Sequence, residues 1–172
     1  MKTRLLWSNF FLLLSVSLVL FLPSCSFVSN TNGVVKSKTI ELNFRNSNWS
    51  KIDSDRADYA FKHDLSPSIL VINSLCQKYD KTSLVQLTDN ILAGLEMPKV
   101  LKQQNMRLFE RASLRTDATG KLDGVKAHML IQVVKKDRCI YDFVLITKAK
   151  TIDKSLSDSF SELVNTSRLG AR

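Results

Sequence analysis

The stretch VKAHMLIQVVKKDRCIYDFVLITK, residues 125–148, holds two long apolar runs separated by a charged tetrapeptide. Val125–Val134 and Cys139–Lys148 are rich in β-branched and aromatic residues, and the KKDR segment Lys135–Arg138 is typical of a short hairpin loop. Both runs place apolar residues on both faces, as strands do at the centre of a sheet that is covered on two sides. The sequence therefore predicts a central hairpin in a layered fold.

Shorter apolar runs upstream predict further strands. Ile40, Leu42 and Phe44 alternate with polar residues, which is typical of a strand with one buried face. The other predicted strands are Ala57–His63, Ser68–Leu75, Val100–Gln104 and Ala112–Thr116. The segment GKLDG, Gly120–Gly124, predicts the turn before the long hairpin.

The segment Ser83–Glu96 predicts an amphipathic helix. Its leucines and isoleucine recur at offsets of three and four residues, so they form one apolar stripe. Ser83 followed by Gln86 predicts a capping box, and Pro98 is placed to stop the helix.

A second amphipathic helix is predicted over Lys154–Ser167, with Asp153 as its N-cap. The element order is then strands, helix, antiparallel strands and helix. This order predicts the α+β class: a single domain whose antiparallel sheet of about six to seven strands is flanked by two main helices.

The N-terminus predicts an export signal. Met1–Leu6 carries Lys2 and Arg4 without an acid, and the thirteen residues Phe10–Leu22 are apolar apart from two serines. This run is shorter than the roughly 20 residues that span a bilayer. An uncleaved anchor that starts at Leu5 is the alternative, but it would place polar residues inside the span.

The tetrapeptide Leu22-Pro23-Ser24-Cys25 resembles the lipobox of bacterial lipoproteins. The resemblance implies a signal peptide over 1–24, a diacylglyceryl group on the Cys25 thiol, and stable anchoring by two or three acyl chains. Membrane lipid is then the first partner, reached through acylated Cys25. Ser26 stands where an inner-membrane retention signal has Asp, which implies the outer membrane, with the domain facing the periplasm. Residues 25–38 are mostly small and polar and predict a flexible tether.

The mature domain, 39–169, resembles the PsbP-like fold, an α/β/α sandwich. The residues that carry the likeness are Trp49, SILVINSLC before the first helix, Gly94, LDG before the long hairpin, and CIYDF at the start of its second strand. Members of that family are mostly binding or assembly factors without catalytic activity. The resemblance implies such a role here, with a protein partner or a small ligand in the envelope.

The net charge of +9 has two readings. The basic residues outside the export signal are spread out, with small groups at Lys135, Lys136 and Arg138 and at Lys148, Lys150 and Lys154. They form either a solvated basic face or a surface that attracts anionic lipid headgroups. Nucleic acid is excluded as a partner because it conflicts with the export signal.

Cys76 and Cys139 are the two cysteines that remain once Cys25 is assigned to lipid. An even pair in an exported protein predicts a disulfide. Two buried free thiols are the equally weighted alternative.

Candidate catalytic residues are few. His63 and His128 have no His or Cys at metal-ligand spacing, so each is interpreted as a hydrogen-bonded strand histidine. Asp123 and Asp142 are the carboxylates considered for glycosidic chemistry, but one is in a turn sequence and the other in an apolar strand.

Trp49, Tyr59 and Tyr141 are interpreted as core residues in preference to pocket walls. We therefore expect no catalytic, metal-ligating or cofactor-binding residues. The predicted function is a lipid-anchored envelope protein with a non-catalytic binding or assembly role. The alternative is an envelope hydrolase whose site is assembled from distant segments.

Overall fold

The computed structural model describes residues 35–37, 39–43, 48–76 and 81–170. The strands are β1 (Ile40–Glu41), β2 (Trp49–Ile52), β3 (Tyr59–His63), β4 (Ser68–Leu75), β5 (Glu96–Leu108), β6 (Arg111–Leu122), β7 (Val125–Lys136), β8 (Cys139–Thr147) and β9 (Arg168–Leu169). The helices are α1 (Leu84–Leu92) and α2 (Lys154–Thr166). Together they form a single α+β domain, as the sequence predicts.

The main sheet has seven strands in the order β2-β3-β4-β8-β7-β6-β5, and every neighbouring pair is antiparallel. Strand β8 lies in the middle of this order, with β4 on one side and β7 on the other. The predicted central position of the β7–β8 hairpin is confirmed.

Each face of this sheet is covered by one helix. Side chains alternate along β8, so Tyr141, Phe143 and Leu145 pack with Phe160 and Leu163 of α2. We call this side the α2 face. The opposite side, the α1 face, packs against α1 through Leu87, Leu92, Met129, Ile131, Val133, Ile140 and Val144. Residues on both faces of β7 and β8 are therefore buried, which explains their continuous apolar sequence.

Three two-residue turns connect β5 to β8. Both residues of each turn have positive φ: Phe109 and Glu110 (53° and 62°), Asp123 and Gly124 (51° and 76°), and Asp137 and Arg138 (52° and 63°). Such angles belong to type I′ turns, whose twist matches the twist of the strands. The predicted turns over 120–124 and 135–138 are therefore too long, because the flanking residues continue the ladders of β6 and β7.

Helix α1 ends at Leu92, earlier than predicted. The backbone N–H groups of Gly94 and Leu95 donate to the carbonyls of Ile91 and Leu92, which tightens the last turn and ends the helix. Leu95 is still buried against the sheet, so it continues the apolar stripe without being helical. The predicted capping box of Ser83 and the predicted N-cap of Asp153 are both confirmed.

Strand β5 is much longer than the predicted segment 100–104, and β6 is longer than 112–116. All residues of β5 before Leu108 are exposed, and β5 is one of the two outer strands of the sheet. Its sequence therefore lacks the alternation that marks a half-buried strand. Pro98 lies in this edge strand, where its missing N–H does not break a ladder, and it does not act as a helix stop.

The N-terminal part of the domain differs from the prediction. Ile40 pairs with Leu169, so β1 and β9 form a separate two-stranded sheet. Phe44, at the end of the predicted first strand, lies outside the described residues. Strand β2 was not predicted, since its sequence WSKI does not alternate.

The segment Val35–Ser37 lies beside the end of β4. The N–H of Cys76 donates to the Val35 carbonyl at 2.7 Å, and the N–H of Ser37 donates to Ser74 Oγ at 2.8 Å. Val35 and Ser37, which the sequence predicts to belong to the flexible tether, therefore contact the end of β4. In the same region a disulfide joins Cys76, just after β4, to Cys139 at the start of β8.

Candidate ligand site

A cavity of about 510 Å³ opens at the end of the sheet near the β6–β7 turn. Its walls come from the start of β5, the paired ends of β6 and β7, and the loop after β8. The lining residues are Glu96, Met97, Lys99, Thr119, Gly120, Lys121, Lys126, Ala127, His128, Lys148, Ala149 and Lys150. We call it the lysine cavity. Strand pairing builds it, because residues far apart in sequence become neighbours only when β5, β6, β7 and β8 are side by side.

Five lysines make this cavity electropositive. Lys121 and Lys126 are directly opposed across β6 and β7, Lys99 comes from β5, and Lys148 and Lys150 follow β8. Within the described part of the chain, none of the five forms an ion pair. The one acid in the lining, Glu96, accepts a hydrogen bond from the N–H of Gly124 at 3.1 Å. Neighbouring ammonium groups repel one another, so an anion in the cavity would relieve this repulsion.

Met97 lies at the cavity with an unfavourable backbone conformation. Its φ is +48°, in a region that side-chain-bearing residues rarely adopt, and the β5–β6 register is irregular between Glu96 and Lys99. The side chain of Met97 is 71% exposed. Such a conformation costs about 1–3 kcal/mol, and residues of this kind concentrate at functional sites.

His128, which lines the cavity, pairs with Asp117, which does not line it. Nε2 of His128 lies 2.5 Å from Oδ1 of Asp117, and the His128 side chain is 9% exposed. Nδ1 of the ring is enclosed and has no hydrogen-bond partner among the described residues. Asp117 is hydrogen-bonded to one ring nitrogen, and protein encloses the other.

Thr119 supplies the one hydroxyl group among the lining residues, and the five lysines supply amines. Thr119 is directly opposite His128 across β6 and β7, but no hydrogen bond joins the two side chains. An activated nucleophile needs such a bond to its base. The described lining combines five ammonium groups with one carboxylate, one hydroxyl and one imidazole.

A second cavity, of about 260 Å³, lies at the same end of the sheet. Lys126, Ala127 and Lys148 line both cavities. The rest of its lining is mainly apolar: Pro67, Ile69, Leu122, Val125 and Ile146, with Asp123 as its acid. We call it the apolar cavity.

A separate polar cluster lies on the α1 face, where β4 meets β8. Asn73 and Asp142 are directly opposed, and Lys36 donates from its Nζ to Oδ1 of Asn73. Nζ of Lys36 is also 3.8 Å from Oδ1 of Asp58. Burial raises the pKa of Asp142 to about 7, and the nearby positive charge of Lys36 lowers it to a smaller extent. The cluster ties the segment before β1 to the centre of the sheet.

Of the aromatic residues considered in the sequence, Trp49 and Tyr141 lie in the core and Tyr59 is partly buried against it. Tyr141 is fully buried on the α2 face, and its hydroxyl lies 3.1 Å from Ser37 Oγ. Burial raises the pKa of Tyr141. Trp49 is buried and packs edge-on to His63 at a centroid distance of 4.8 Å, and the Tyr59 hydroxyl donates to the Ile40 carbonyl. None of the three lines either cavity.

The other candidates of the sequence are dispersed. His63 bonds Ser66 through Nδ1 at 2.9 Å, far in the sheet order from His128 on β7. Asp123 is in the β6–β7 turn, whereas Asp142 lies opposite Val133 towards the other end of β7, so they do not form a carboxylate pair. Cys25 lies outside the described residues.

The two basic groups of the sequence are also separated. Lys135 and Lys136 lie at the β7–β8 turn, and Nζ of Lys136 donates to the Leu169 carbonyl. Lys148 and Lys150 lie at the opposite end of β8 and join Lys99, Lys121 and Lys126. Apart from the pairing of Lys121 with Lys126 across the β6–β7 turn, this convergence depends on the order of the strands in the sheet.

The described ranges contain no group of three or more His, Cys, Asp or Glu placed to hold a metal ion. Neither α1 nor α2 is long and apolar enough to cross a membrane.

No family model matches the chain, and no curated protein matches it either. Solved structures do resemble it. The cyanobacterial PsbP protein CyanoP of Synechocystis has a TM-score of 0.57 at 12% identity, and the match covers 87% of this chain and 99% of that one. The fold is PsbP-like. This finding confirms the fold expected from the sequence.

Two further solved structures resemble this chain. LpqN of Mycobacterium tuberculosis, which is involved in cell envelope biogenesis, has a TM-score of 0.55 at 12% identity, with 78% of this chain and 85% of that chain covered. A protein from Bacteroides thetaiotaomicron has a TM-score of 0.55 at 11% identity, with 77% of this chain and 46% of that chain covered. At these identities the likeness establishes the fold alone.

Proposed function

We propose that this protein is a lipid-anchored cell-envelope protein that binds an anionic ligand in the lysine cavity and has no catalytic role. The observation that carries the proposal is the convergence on one concave surface of five lysines that form no ion pair with any described residue. Its volume is in the range of ligand pockets, about 300–1,000 Å³. The involvement of the structurally similar LpqN in envelope biogenesis is consistent with this setting.

The anchor is supported by the lipobox-like sequence at Cys25. Cys25→Ser should move the protein out of the membrane fraction or leave it with an uncleaved signal, and it should abolish labelling by a clickable fatty acid. The Cys76→Ser variant is the matched control and should stay labelled. An unchanged membrane fraction with retained label in Cys25→Ser would contradict the anchor. Ser26→Asp tests the proposed outer-membrane location, because it should shift the protein to the inner membrane.

The non-catalytic role is supported by the enclosed imidazole of His128 and by the lack of a bond between His128 and Thr119. The competing proposal, an envelope hydrolase, would use this same Thr119–His128–Asp117 row. Thr119→Val tests the choice, since the enzyme would lose turnover of envelope material completely, whereas a binding protein should keep its anion affinity within about twofold.

Ligand binding itself is tested by thermal shift with inorganic phosphate and pyrophosphate at low and high salt. A bound anion should raise the melting temperature, and more so at low salt because the attraction is screened. Lys121→Gln should reduce the shift. Lys81→Gln removes an exposed lysine outside the cavity and should leave it unchanged.

A protein partner in the envelope is the second candidate. The observation that favours it is the exposed outer strand β5, which offers an unpaired sheet edge for an added strand. A photo-crosslinker at the exposed Gln104 should then capture one envelope protein in living cells, and the same group at Lys81 should not. Equal products from both positions would argue against β5 as an interface.

A further inference from the structure

We propose that the ligand is a linear chain of phosphate groups, which binds along a row of cations that runs from the lysine cavity to Arg115. This inference rests on the proposed function and specifies its ligand. It depends on a third cavity on the same face of the sheet, on the residues at the border between that cavity and the lysine cavity, and on the charge that the two linings carry.

The third cavity has a volume of about 330 Å³ and lies where β5 and β6 meet the first turn of α2. Its polar lining includes Lys102 and Gln104 of β5, Arg115 and Asp117 of β6, and Ser157 of α2. We call it the arginine cavity. The β5 residues in this lining are exposed, so the cavity is open towards the outer strand of the sheet.

The arginine cavity and the lysine cavity open on the same face of the sheet. Leu130 of β7 belongs to the core of the α2 face, and it is directly opposite Asp117 on β6. Because side chains alternate along a strand, Arg115, Thr119 and Lys121 lie on the α2 face together with Asp117. The strands therefore do not separate the two cavities.

The two cavities meet along three strands. On each of β5, β6 and β7, the lining of one cavity ends and the lining of the other begins at successive positions of the α2 face. These pairs of positions are Lys99 and Lys102, Thr119 and Asp117, and His128 and Leu130. A ligand that leaves the lysine cavity along β6 thus reaches the arginine cavity next.

The border between the cavities is open to solvent. Every second residue of β6 from Arg115 to Lys121 is partly exposed, whereas Thr116 and Ala118 between them are buried. The Asp117 side chain at the border is 36% exposed. Arg115 and Lys121 are six residues apart on β6, which is about 20 Å. Pyrophosphate is much shorter than this, so only a longer chain contacts both ends of the row.

Arg115 is held in position by neutral partners. Its Nη1 donates to Ser161 Oγ at 3.0 Å, and its Nη2 donates to Ser157 Oγ at 3.4 Å. The guanidinium carbon lies 5.3 Å from the centre of the Phe160 ring. Burial lowers the pKa of Arg115, and the charge of Asp117 raises it to a smaller extent. Arg115 forms no ion pair with any described residue, and its planar fork suits a phosphate group.

Cations outnumber acids along the row. The five lysines of the lysine cavity are joined by Lys102 and Arg115, whereas the acids among the described lining residues are Glu96 and Asp117. Asp117 is bonded to His128 and is directly opposite Lys102 across β6 and β5. A chain of phosphates places negative charge beside these cations in turn, which one small anion cannot do.

The position of the row favours a phosphate chain over an acidic peptide or a nucleic acid. A peptide that adds to a sheet pairs with the backbone of an edge strand, whereas Arg115 and Lys121 lie on the face of the inner strand β6. Single-stranded nucleic acid stacks its bases on aromatic side chains. No aromatic residue is among the described residues that line the two cavities.

The test is calorimetric titration of the full-length protein in phosphatidylcholine nanodiscs. The ligands are pyrophosphate and three polymers longer than about 20 Å: linear polyphosphate, poly(glycerol phosphate) and polyglutamate. Both phosphate chains should bind at least tenfold more tightly than pyrophosphate, and their affinity should fall more steeply with salt because they contact more cations. The tighter of the two identifies the spacing of phosphates that the row fits. Polyglutamate should bind no more tightly than pyrophosphate.

Four variants locate the chain. Lys102→Gln and Arg115→Gln should each weaken polyphosphate about fivefold while leaving pyrophosphate affinity within about twofold. Lys121→Gln should weaken both ligands. Lys62→Gln is the matched control, because Lys62 is an exposed lysine of β3 near the opposite edge of the sheet, and it should change neither. Lys102 is exposed, so its replacement leaves the core intact and keeps the test valid if Arg115→Gln does not fold.

Unchanged polyphosphate affinity in Lys102→Gln and Arg115→Gln, with a loss in Lys121→Gln, would confine the ligand to the lysine cavity. That result overturns the phosphate chain and leaves the anion site in place. An equal loss for pyrophosphate in the same two variants would overturn it as well, because one small anion would then contact both cavities. Polyglutamate that binds as tightly as polyphosphate would identify an acidic peptide, which also overturns it. If neither pyrophosphate nor polyphosphate binds, the proposed function itself fails.

Discussion

Asp142 lies directly opposite Asn73 across β8 and β4, and the ammonium group of Lys36 reaches this pair from the segment before β1. One carboxylate oxygen of Asp142 has no hydrogen-bond partner in the described part of the protein. The positive charge near this carboxylate is that of Lys36, which also lies 3.8 Å from Oδ1 of Asp58. Ionisation of Asp142 should therefore lower the free energy of unfolding, so the stability of the domain should depend on pH.

The first prediction concerns that cost. The pKa of Asp142 is raised from 3.8 to about 7 in the folded protein, so between these values the native state keeps a proton that the unfolded state loses. The free energy of unfolding should fall as the pH rises from about 4 to 7 and level off above it. Asp142→Asn removes the charge, so it should stabilise by roughly 2–4 kcal/mol at pH 8 and have little effect at pH 3.5.

Urea denaturation across this pH range measures the effect. Asp55→Asn is the control, because Asp55 is exposed, and it should leave the pH profile unchanged. A loss of stability in Asp142→Asn of the same size at both pH values would contradict a charge penalty and indicate a lost hydrogen bond instead.

The second prediction concerns the disulfide between Cys76 and Cys139. It closes a chain of 63 residues, and chain-entropy arithmetic gives about 4 kcal/mol of stabilisation for a loop of that length. Reduction or Cys139→Ser should lower the free energy of unfolding by up to that amount. The intact mass should increase by two hydrogens on reduction. An unchanged mass would mean that the two cysteines are free thiols in the cell.

The third prediction concerns the turns. The β6–β7 turn has the sequence Asp123-Gly124, and the β7–β8 turn has Asp137-Arg138, with positive φ at every position. Glycine adopts this conformation without the strain that arginine incurs. Arg138→Gly should therefore stabilise by about 0.5–1 kcal/mol, and Gly124→Arg should destabilise by a similar amount. If Arg138→Gly and Gly124→Arg change the free energy of unfolding in the same direction, the preference of these turn positions for glycine is contradicted.

The central hairpin and the helix stripes could be predicted from sequence because each is encoded locally. The apolar runs of β7 and β8, the stripe of α1 and the caps Ser83 and Asp153 depend on spacing within a few residues, and tertiary structure leaves them unchanged. The end of α1 was missed, since Leu95 continues the apolar period while its backbone has already left the helix.

The rest of the fold depends on position in the sheet. Strand β5 is an edge strand with both faces exposed. Neither face has to be apolar, so its sequence does not alternate between apolar and polar residues. The lysine cavity was missed for a related reason. Lys99, Lys121 and Lys148 are ordinary surface lysines in sequence, and only the order β8-β7-β6-β5 brings them together. A two-residue turn placed at Asp123-Gly124 fixes a hairpin register that pairs Lys121 with Lys126. This pair of lysines is the one sign of the site that the local sequence contains.

The most direct test of the central claim is calorimetric titration of pyrophosphate into the wild-type protein and into the Lys121→Gln/Lys148→Gln variant, at 50 mM salt. Each lysine beside an anion contributes about 1 kcal/mol, so the double variant should bind at least tenfold more weakly, while Lys81→Gln should match the wild type. Binding that is equally strong in all three proteins, or absent from the wild type, would contradict an anion site in the lysine cavity.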